Sequence, residues 1–326
     1  MVEVLITGKT KLLGVIGHPV EHSLSPVMHN AAIATLGLDY VYLPLPVKPE
    51  DLQVALAGFA AIGIVGFNAT IPHKQAIIPL LSNVSPIAQA VGAVNTVWRT
   101  ETGWSGTNTD VEGFLAPLID LSPRPPLLTE ERGRNNFSSS LLEEERGRNN
   151  FSSSIESQNW SDKVAVILGY GGAARAVVAG CTQLGIGKIK VIGRNQQKLT
   201  DFIASWDKSE LSVSSSAHNW EELPGLISQA DLLVNTTPVG MYPRVNESPV
   251  SVEEMANLRS GAIAYDLIYT PNPTLFLQLA KQRGAIAIDG LEMLVQQGAA
   301  ALKIWLQQSQ VPVEVMRQSL RQHLGL

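Results

Sequence analysis

The sequence predicts an α/β protein with two domains, and two observations carry this prediction. The first is a βαβ unit over residues 163–194, where an apolar run, a glycine-rich turn, an amphipathic helix and a second apolar run follow one another. The second is an alternation of predicted strands and helices over the first hundred residues. A chain of 326 residues is long enough for two such domains, each with its own core.

The first strand of the βαβ unit is predicted at Val164 to Leu168, where the run VAVIL is typical of a strand buried on both faces. The turn Gly169-Tyr170-Gly171-Gly172-Ala173-Ala174 leads into the helix, and Lys188 to Ile192 is the next parallel strand. G-x-G-x-x-A between a strand and a helix is the dinucleotide-binding fingerprint of a Rossmann-type, doubly wound sheet. Gly169 permits the tight turn, and Gly171 lets the backbone approach a pyrophosphate at the helix N-terminus. A purely structural glycine turn is the alternative interpretation.

The end of the second strand indicates which dinucleotide is bound. An NAD site would place Asp or Glu there for the ribose hydroxyls. This chain has Gly193-Arg194-Asn195, with Lys198 one turn further on. A guanidinium binds a 2′-phosphate through paired charge-assisted hydrogen bonds, whereas a carboxylate would repel it. The pattern therefore favours NADP, with a solvated arginine at a strand end as the alternative.

The elements before this unit are predicted from hydrophobic periodicity and from helix-end signals. Ser25 is expected to cap a helix that Pro26 opens and Gly37 closes. A hairpin turn at residues 101–103 joins the last strand of this part to residues 104–105. The predicted strands lie at 11–17, 40–47, 64–67 and 95–99, and two further helices lie at 49–60 and after Lys74 to about Ala90.

The elements after this unit continue the alternation. Polar residues at 235–237 follow a strand at 231–234, and α/β sheets place their ligands at such carboxyl ends. Met293 and Gln297 share one face of a long helix that follows Gly290. Other strands are predicted at 262–267 and 285–288, and helices at 111–120, 196–206, 219–227, 274–283 and 313–323.

Composition excludes several functions. The net charge is −5 and no long basic run occurs, so nucleic acid is not an expected partner. No apolar run has membrane-spanning length, and charged residues interrupt the apolar N-terminus, so we expect a soluble, cytoplasmic protein. The single cysteine, Cys181, excludes an internal disulfide and is interpreted as a packing residue. His18, His22, His29 and His73 do not have a metal-ligand spacing, so no metal is assigned.

Several N-terminal residues have ordinary interpretations when each is taken alone. Ser23 and Ser25 could be turn and cap residues as readily as ligand contacts. Lys74 could be a solvated lysine, and Asn95 and Asn108 could form turns.

The complete set of motifs is more specific, because the motifs occur together and in a fixed order. They read HSLSPVMHN, FNATIPHK, GAVNT, GTNTD, GYGGAAR, NTTPVGM, YDLIYTPNPT and GLEMLVQQ. On these segments the chain resembles the shikimate dehydrogenases, the NADP-linked enzymes of aromatic amino-acid biosynthesis, along nearly its full length outside one insert.

The resemblance implies two α/β domains that close over a cleft, with Lys74 and Asp110 as the catalytic pair within it. It implies substrate contacts from Ser23, Ser25, Thr70, Asn95, Tyr269 and Gln297. It implies cofactor contacts from Gly169, Tyr170, Gly171, Gly172, Ala173, Arg194, Asn195, Lys198, Leu267 and Gly290.

The chain departs from the family pattern at three positions. The family often has Asn before the phosphate-binding arginine and Thr after it, where this chain has Gly193 and Asn195. Gly193 gives up one side-chain contact to the cofactor. The usual Met near the nicotinamide is Leu267, a change that conserves volume.

The chemistry of the catalytic pair follows from its residue types. Reduction of a ring ketone needs a hydride from the cofactor and a proton for the forming alkoxide, and a lysine ammonium can donate that proton. Burial disfavours the charged lysine and the carboxylate favours it. The sequence leaves open whether Lys74 is the acid or an electrostatic anchor, and our hypothesis is that Lys74 passes the proton while Asp110 orients it.

Residues 122–160 interrupt the alternation of predicted strands and helices. The decapeptide ERGRNNFSSS at 131–140 recurs at 145–154. A polar tract of this kind cannot bury enough apolar surface to order itself, so we interpret it as a duplicated, disordered surface loop. A partner-binding element is the alternative, and deletion that left activity intact would favour the loop.

The predicted organisation is a substrate-binding catalytic domain at 1–110, completed by helices at 290–326, and a Rossmann domain at 111–289. The resemblance implies NADPH-dependent reversible reduction of 3-dehydroshikimate to shikimate, in the pathway to chorismate. The rivals are a quinate/shikimate dehydrogenase of broader substrate and cofactor use and a catalytically silent relative that binds the ligand. A homodimer is one open possibility for the oligomeric state.

Overall fold

The computed structural model describes residues 6–120, 159–207, 209 and 211–326. Within them the chain forms two six-stranded sheets, the first between residues 11 and 107 and the second between residues 164 and 288. The predicted α/β class with a doubly wound sheet is confirmed. The predicted insert 122–160 lies outside the described residues apart from Asn159 and Trp160.

The first sheet is mixed, with the spatial order β2-β1-β3-β5-β6-β4. Its strands are β1 (Lys11–Gly17), β2 (Tyr40–Pro46), β3 (Gly66–Ala69), β4 (Asn83–Val84), β5 (Thr96–Thr100) and β6 (Gly103–Thr107). β1 pairs in parallel with β2 and β3, and the predicted hairpin is the antiparallel pair β5–β6. Its helices are α1 (Ser25–Thr35), α2 (Leu52–Ala61) after a 3₁₀ turn at Pro49–Asp51, α3 (His73–Ala76) before a 3₁₀ turn at Ile78–Leu80, and α4 (Pro86–Val91).

The second sheet is entirely parallel, with the spatial order β12-β11-β10-β7-β8-β9. Its strands are β7 (Val164–Leu168), β8 (Lys188–Gly193), β9 (Ser215–Asn219), β10 (Leu232–Asn235), β11 (Ile263–Asp266) and β12 (Ile286–Ile288). The chain enters at β7, fills one side with β8 and β9, and then crosses to β10, β11 and β12. This is the Rossmann strand order, and the switch point between β7 and β10 is where such sheets bind ligands.

Helices cover both faces of the second sheet, as a sheet buried on both faces requires. They are α6 (Gly172–Gln183), α7 (Gln196–Ala204), α8 (Leu223–Ile227) after a 3₁₀ turn at Trp220–Glu222, α9 (Val252–Met255) and α10 (Leu275–Gln282). Cys181 is fully buried in the core beneath α6, as its interpretation as a packing residue predicts.

Two long helices connect the two sheets, α5 (Asp110–Asp120) and α11 (Leu291–Leu306), and a third helix, α12 (Val313–Leu324), follows α11 at the end of the chain. Phe114 on α5 packs in the core of the second sheet. Val295 and Leu302 on α11 and Met316 on α12 pack instead in the core beneath β1 and α1. The C-terminal helices therefore complete the first core. No helix in the described ranges combines the length and the apolar character that crossing a membrane would need.

The structure differs from the predicted elements at several places, and three of the differences have a clear physical reason. α1 begins at Ser25 itself with Leu24 at the N-cap position, so Ser25 is not the cap. The single helix predicted up to about Ala90 is broken, because Pro79 belongs to a 3₁₀ turn and Pro86 starts a new helix that Ser85 caps. β9 was not predicted, because its sequence SSAHN offers no apolar alternation.

Candidate active site

Lys74 and Asp110 form a close ion pair, with Nζ 2.6 Å from Oδ2 and side chains that are 17% and 8% exposed. Lys74 lies in α3, directly after β3, and Asp110 is the first residue of α5. The two residues are 36 positions apart in sequence. The fold therefore brings together the two residues that the resemblance implies as a catalytic pair.

Asn95 anchors the other oxygen of Asp110. Its side-chain amide donates to Asp110 Oδ1 at 2.8 Å and faces Gln297 Oε1 at 3.4 Å, while its own oxygen accepts from the Thr109 backbone N–H at 2.8 Å. Asn95 and Gln297 are both buried. Gln297, which the helical pattern alone would leave in solvent, thus belongs to the same polar cluster.

Asn108 fixes the start of α5. Its side-chain oxygen accepts from the backbone N–H of Asp110 at 3.0 Å, and its amide donates to the Ala93 carbonyl at 2.9 Å. This is the turn-forming role that the ordinary interpretation gives it. By holding the first turn of α5, Asn108 sets the position of the Asp110 carboxylate.

A buried polar chain that the sequence did not indicate leads from this cluster toward α1. The Tyr42 hydroxyl donates to Asn68 Oδ1 at 2.7 Å, and the Asn68 amide donates to Thr96 Oγ1 at 3.2 Å. Ser25 is buried beside the Tyr42 phenol. The motif FNATIPHK contains Asn68, and that motif was the available signal.

The remaining predicted substrate residues, Ser23, Thr70 and Tyr269, are less buried than Ser25, Asn95 and Gln297. Ser23 is half-buried, and its hydroxyl accepts from the Ser25 backbone N–H at 3.3 Å. Thr70 directly follows β3 and is also half-buried. Tyr269 packs against the core beneath β1 and α1, although it follows β11 of the second sheet.

The glycine turn has the geometry that its sequence predicts. Gly169 has φ +104°, and a Cβ there would lie 2.7 Å from Thr236 Oγ1, so a side chain is excluded on both counts. Gly171 precedes α6, and no heavy atom lies within 4 Å of where its Cβ would be. Backbone N–H groups at the start of a helix open to solvent are suited to a pyrophosphate. These residues therefore fit a dinucleotide.

The start of α6 lies close to the stem of Lys74. A Cβ on Gly172 would lie 3.6 Å from Cδ and 3.9 Å from Cβ of Lys74. Lys74 follows a strand of the first sheet, and Gly172 begins the first helix of the second. The stem of the lysine thus faces the glycine turn across a space that a side chain at position 172 would fill.

The end of β8 presents the residues predicted to bind the adenosine phosphate. Arg194, Asn195 and Lys198 are all exposed. Asn195 caps α7, because its side-chain oxygen accepts from the Lys198 backbone N–H at 2.9 Å. Arg194 lies over the ring of Trp220, with Cζ 5.1 Å from the ring centroid.

Leu267 and Gly290, the two residues implied near the nicotinamide, adjoin each other. A Cβ on Gly290 would lie 2.1 Å from the Leu267 carbonyl oxygen. Position 290 therefore has no room for a side chain. The loop after β11 and the start of α11 meet at this point.

Asp266 organises that loop and was not indicated by the sequence analysis. It is fully buried, and its carboxylate accepts from Thr274 Oγ1 at 2.7 Å and from the Asn235 amide at 2.9 Å. Burial raises the pKa of Asp266 to about 6, against the opposing effect of these hydrogen bonds. Asp266 thus links the loop after β10 to the loop after β11.

Arg175 was also not indicated by the sequence analysis. It joins α6, which packs on the second sheet, to α4, which packs on the first. From the first turn of α6 its Nε donates to the Val91 carbonyl at the end of α4, and its Nη1 donates to Ser205 Oγ at 2.8 Å. The guanidinium lies over the Trp206 ring at 4.9 Å from the centroid. A cation at the C-terminus of a helix is favoured by the helix dipole.

Two family models match the chain. One, described as the shikimate dehydrogenase substrate binding domain, matches residues 15–97. The other, described as the shikimate 5′-dehydrogenase C-terminal domain, matches residues 290–321.

Known proteins match the chain over its whole length. A protein of Trichormus variabilis named shikimate dehydrogenase (NADP(+)) is 62% identical over 322 residues, which cover 99% of this chain and 100% of that protein. A crystal structure of a shikimate dehydrogenase in complex with NADP+ is 33% identical with a TM-score of 0.78, and 99% of each chain is covered. The ligand-free 5-ketofructose reductase of Gluconobacter sp. strain CHM43 is 30% identical with a TM-score of 0.75, over 97% of this chain and 100% of the reductase. The architecture is thus shared with a reductase of a different named substrate.

Proposed function

The chain belongs to the shikimate dehydrogenase family, and from this premise we propose that Lys74 and Asp110 are its catalytic pair. It is an NADP-dependent oxidoreductase that interconverts 3-dehydroshikimate and shikimate, in the biosynthesis of aromatic amino acids. One observation carries the proposal for the pair. Lys74 Nζ lies 2.6 Å from Asp110 Oδ2, while the stem of the same lysine faces Gly172 at the nucleotide turn, where an added Cβ would lie 3.6 Å from Lys74 Cδ.

In the proposed mechanism, NADPH supplies the hydride and Lys74 supplies the proton. The Lys74 ammonium donates its proton to the oxygen of the ring ketone as that oxygen gains negative charge. Asp110 accepts a hydrogen bond from the ammonium and holds it in position. Asn95 fixes Asp110 from the other side, so the carboxylate keeps its direction when the proton leaves.

We propose that the substrate lies beside this pair and contacts Ser23, Ser25, Thr70, Asn95, Tyr269 and Gln297. These residues supply hydroxyl and amide groups, which suit the hydroxyls and carboxylate of shikimate. The contact between Asn95 and Gln297, together with the buried chain from Ser25 to Asn68, supports a single polar surface. Because the amide of Gln297 donates to the Leu294 carbonyl, its oxygen is directed toward Asn95.

We propose that NADP contacts the glycine turn and the end of β8. The cofactor residues are Gly169, Tyr170, Gly171, Gly172, Ala173, Arg194, Asn195, Lys198, Leu267 and Gly290. The open approach to Gly171 supports pyrophosphate binding there. The two exposed cations, Arg194 and Lys198, support a 2′-phosphate rather than bare ribose hydroxyls.

The domain division stays a proposal: 1–110 with 290–326, and 111–289. It is supported by the packing of α11 and α12 against β1 and α1.

A cytoplasmic location and a homodimer also stay predictions. Light scattering on the purified protein would determine whether it is a dimer.

Initial rates with shikimate or quinate, each against NADP or NAD, test the function. We expect the largest kcat/KM with shikimate and NADP. Comparable rates with quinate would identify a quinate/shikimate dehydrogenase. Absence of turnover with every pair, in a protein that still binds shikimate, would identify a silent ligand-binding relative.

A further inference from the structure

The indole of Trp220 lies against the guanidinium of Arg194, and the two residues come from different strand ends. Arg194 follows β8, and Trp220 follows β9, the strand that pairs with β8. The Arg194 Cζ atom is 5.1 Å from the Trp220 ring centroid. At this distance the ring attracts the cation.

Trp220 is itself held in place. It is half-buried and packs against the hydrophobic core on the outer face of the second sheet. The residue before it, Asn219, forms a reciprocal capping box with Glu222, whose carboxylate accepts from the Asn219 backbone N–H at 2.8 Å. Trp220 is therefore a fixed platform, whereas Arg194 is an exposed side chain on a flexible stem.

The other polar groups at the end of β8 are less able to recognise a phosphate. Position 193 has no side chain, and Tyr170 fills its space, because a Cβ there would lie 2.3 Å from Tyr170 Cε1. The side-chain oxygen of Asn195 is already used to cap α7. Lys198 adds a single positive charge without a paired set of donors. Arg194 is thus the main group that can fix a 2′-phosphate through paired hydrogen bonds.

The contact with the ring leaves the hydrogen-bond donors of Arg194 free to bind. A cation–π contact uses none of the guanidinium N–H groups, so they can form paired hydrogen bonds to phosphate oxygens. Within the described part of the chain, the Arg194 guanidinium contacts Trp220 and makes no hydrogen bond or ion pair. The platform therefore restricts where Arg194 points without using its donors.

We propose that Trp220 is a positioning residue that holds Arg194 for the 2′-phosphate and so raises the preference for NADP over NAD. The proposal depends on the proposed role of Arg194 in cofactor binding. Trp220 acts through the arginine, so its effect is confined to ligands that carry a 2′-phosphate.

The test compares 2′,5′-ADP with 5′-ADP as probes, with calorimetric Kd values for the full-length protein. We expect Trp220→Met to weaken 2′,5′-ADP about 2- to 5-fold, as loss of an exposed cation–π contact of about 0.5–1 kcal/mol requires, with an unchanged Kd for 5′-ADP. Trp220→Phe keeps an aromatic face and should recover most of the affinity. The ratio of KM for NADP to KM for NAD should rise in Trp220→Met by a similar factor, with kcat unchanged.

Variants that carry Arg194→Gln distinguish the proposed role of Trp220 from the proposed role of Arg194. In that background Trp220→Met should have no further effect on 2′,5′-ADP, because the group that it positions is gone. Equal weakening of both probes by Trp220→Met, or a loss that persists beside Arg194→Gln, would overturn the role of Trp220. If Arg194→Gln alone left 2′,5′-ADP and 5′-ADP affinities unchanged, the role of Arg194 itself would fail instead. If Trp220→Met proved unstable, Trp220→Phe and Trp220→Leu would supply the same comparison.

Discussion

The stem of Lys74 faces Gly172: a Cβ placed on that glycine would be 3.6 Å from the lysine Cδ. The proposed proton donor and the first residue of the nucleotide-binding helix are therefore close in space, although Lys74 follows a strand of the first sheet and Gly172 follows a strand of the second. A dinucleotide held at the turn would lie beside the proposed acid. The first two predictions test this arrangement.

Replacement of Lys74 by Ala should reduce kcat by about 10²- to 10⁴-fold, because general acid catalysis is lost. The KM for shikimate should change less, because the substrate contacts proposed above remain. Steady-state rates with NADP measure both parameters. Lys188→Ala, which removes an exposed lysine at the start of β8, is the matched control and should behave as wild type. Near-normal turnover of Lys74→Ala would remove Lys74 from the mechanism.

Replacement of Asp110 by Asn should reduce kcat by about 10- to 100-fold. The change keeps the shape of the side chain and removes the charge that binds the Lys74 ammonium, and a hydrogen bond to a charged group contributes about 1.5–3 kcal/mol. Steady-state rates with shikimate and NADP measure the loss. An unchanged kcat in a folded Asp110→Asn variant would contradict the proposed role of Asp110.

Replacement of Gly193 by Asn should destabilise the fold, and a second change should relieve the effect. The new Cβ would lie 2.3 Å from Tyr170 Cε1, and overpacking of this kind costs about 1–3 kcal/mol. Gly193→Asn combined with Tyr170→Ala should recover most of that loss, because the ring is gone. Thermal unfolding of the two single variants and the double variant measures the coupling. If the stability changes of Gly193→Asn and Tyr170→Ala simply added in the double variant, Tyr170 would not be the reason that position 193 is glycine.

His29 should make the protein sensitive to acid. Burial lowers the pKa of His29 to about 3 from 6.5, and neither ring nitrogen has a hydrogen-bond partner among the residues that the structure describes. Because the folded-state pKa is below the unfolded value, the stability that His29 contributes is complete above about pH 6.5 and is lost as the pH falls toward 3. The shift corresponds to at most about 5 kcal/mol.

His29→Phe keeps a ring that can stack on Tyr42, 4.2 Å away between centroids, and removes the titrating group. We expect its free energy of unfolding to fall less steeply between pH 6.5 and 4 than that of wild type. Denaturant titrations at several pH values measure this slope. His323→Phe changes an exposed histidine and should leave the slope as it is. Parallel slopes for wild type and His29→Phe would show that the acid response arises elsewhere.

The sequence predicted best those elements whose signal is local. β7 begins and ends at the predicted residues, because a buried parallel strand is a continuous apolar run bounded by a glycine turn. β9 was missed, because an edge strand of polar residues carries no such signal. Ser25 was wrongly predicted as the cap of α1, since a serine before a proline at a helix start fits the cap pattern and the first helical position equally well.

In the candidate active site too, the sequence alone did not predict features that depend on residues far apart in the chain. Lys74 and Asp110 were named through motif resemblance, and neither periodicity nor composition could place them 2.6 Å apart. Asp266 and Arg175 were not named, because their roles depend on partners far along the chain. Arg175 reaches the Val91 carbonyl, 84 positions away, and Asp266 reaches Asn235, 31 positions away. Buried polar links of this length appear only once the fold is known.

The hydrogen bond from Arg175 to the Val91 carbonyl joins the part of the chain that forms the second sheet to the part that forms the first. It joins the first turn of the nucleotide helix to the end of α4, and Ser209 adds a second link to the Ala90 carbonyl at 3.1 Å. A relative movement of the two sheets that left these bonds intact would keep the start of α6 fixed against the end of α4. The larger displacements would then occur in the parts of the molecule farthest from this contact.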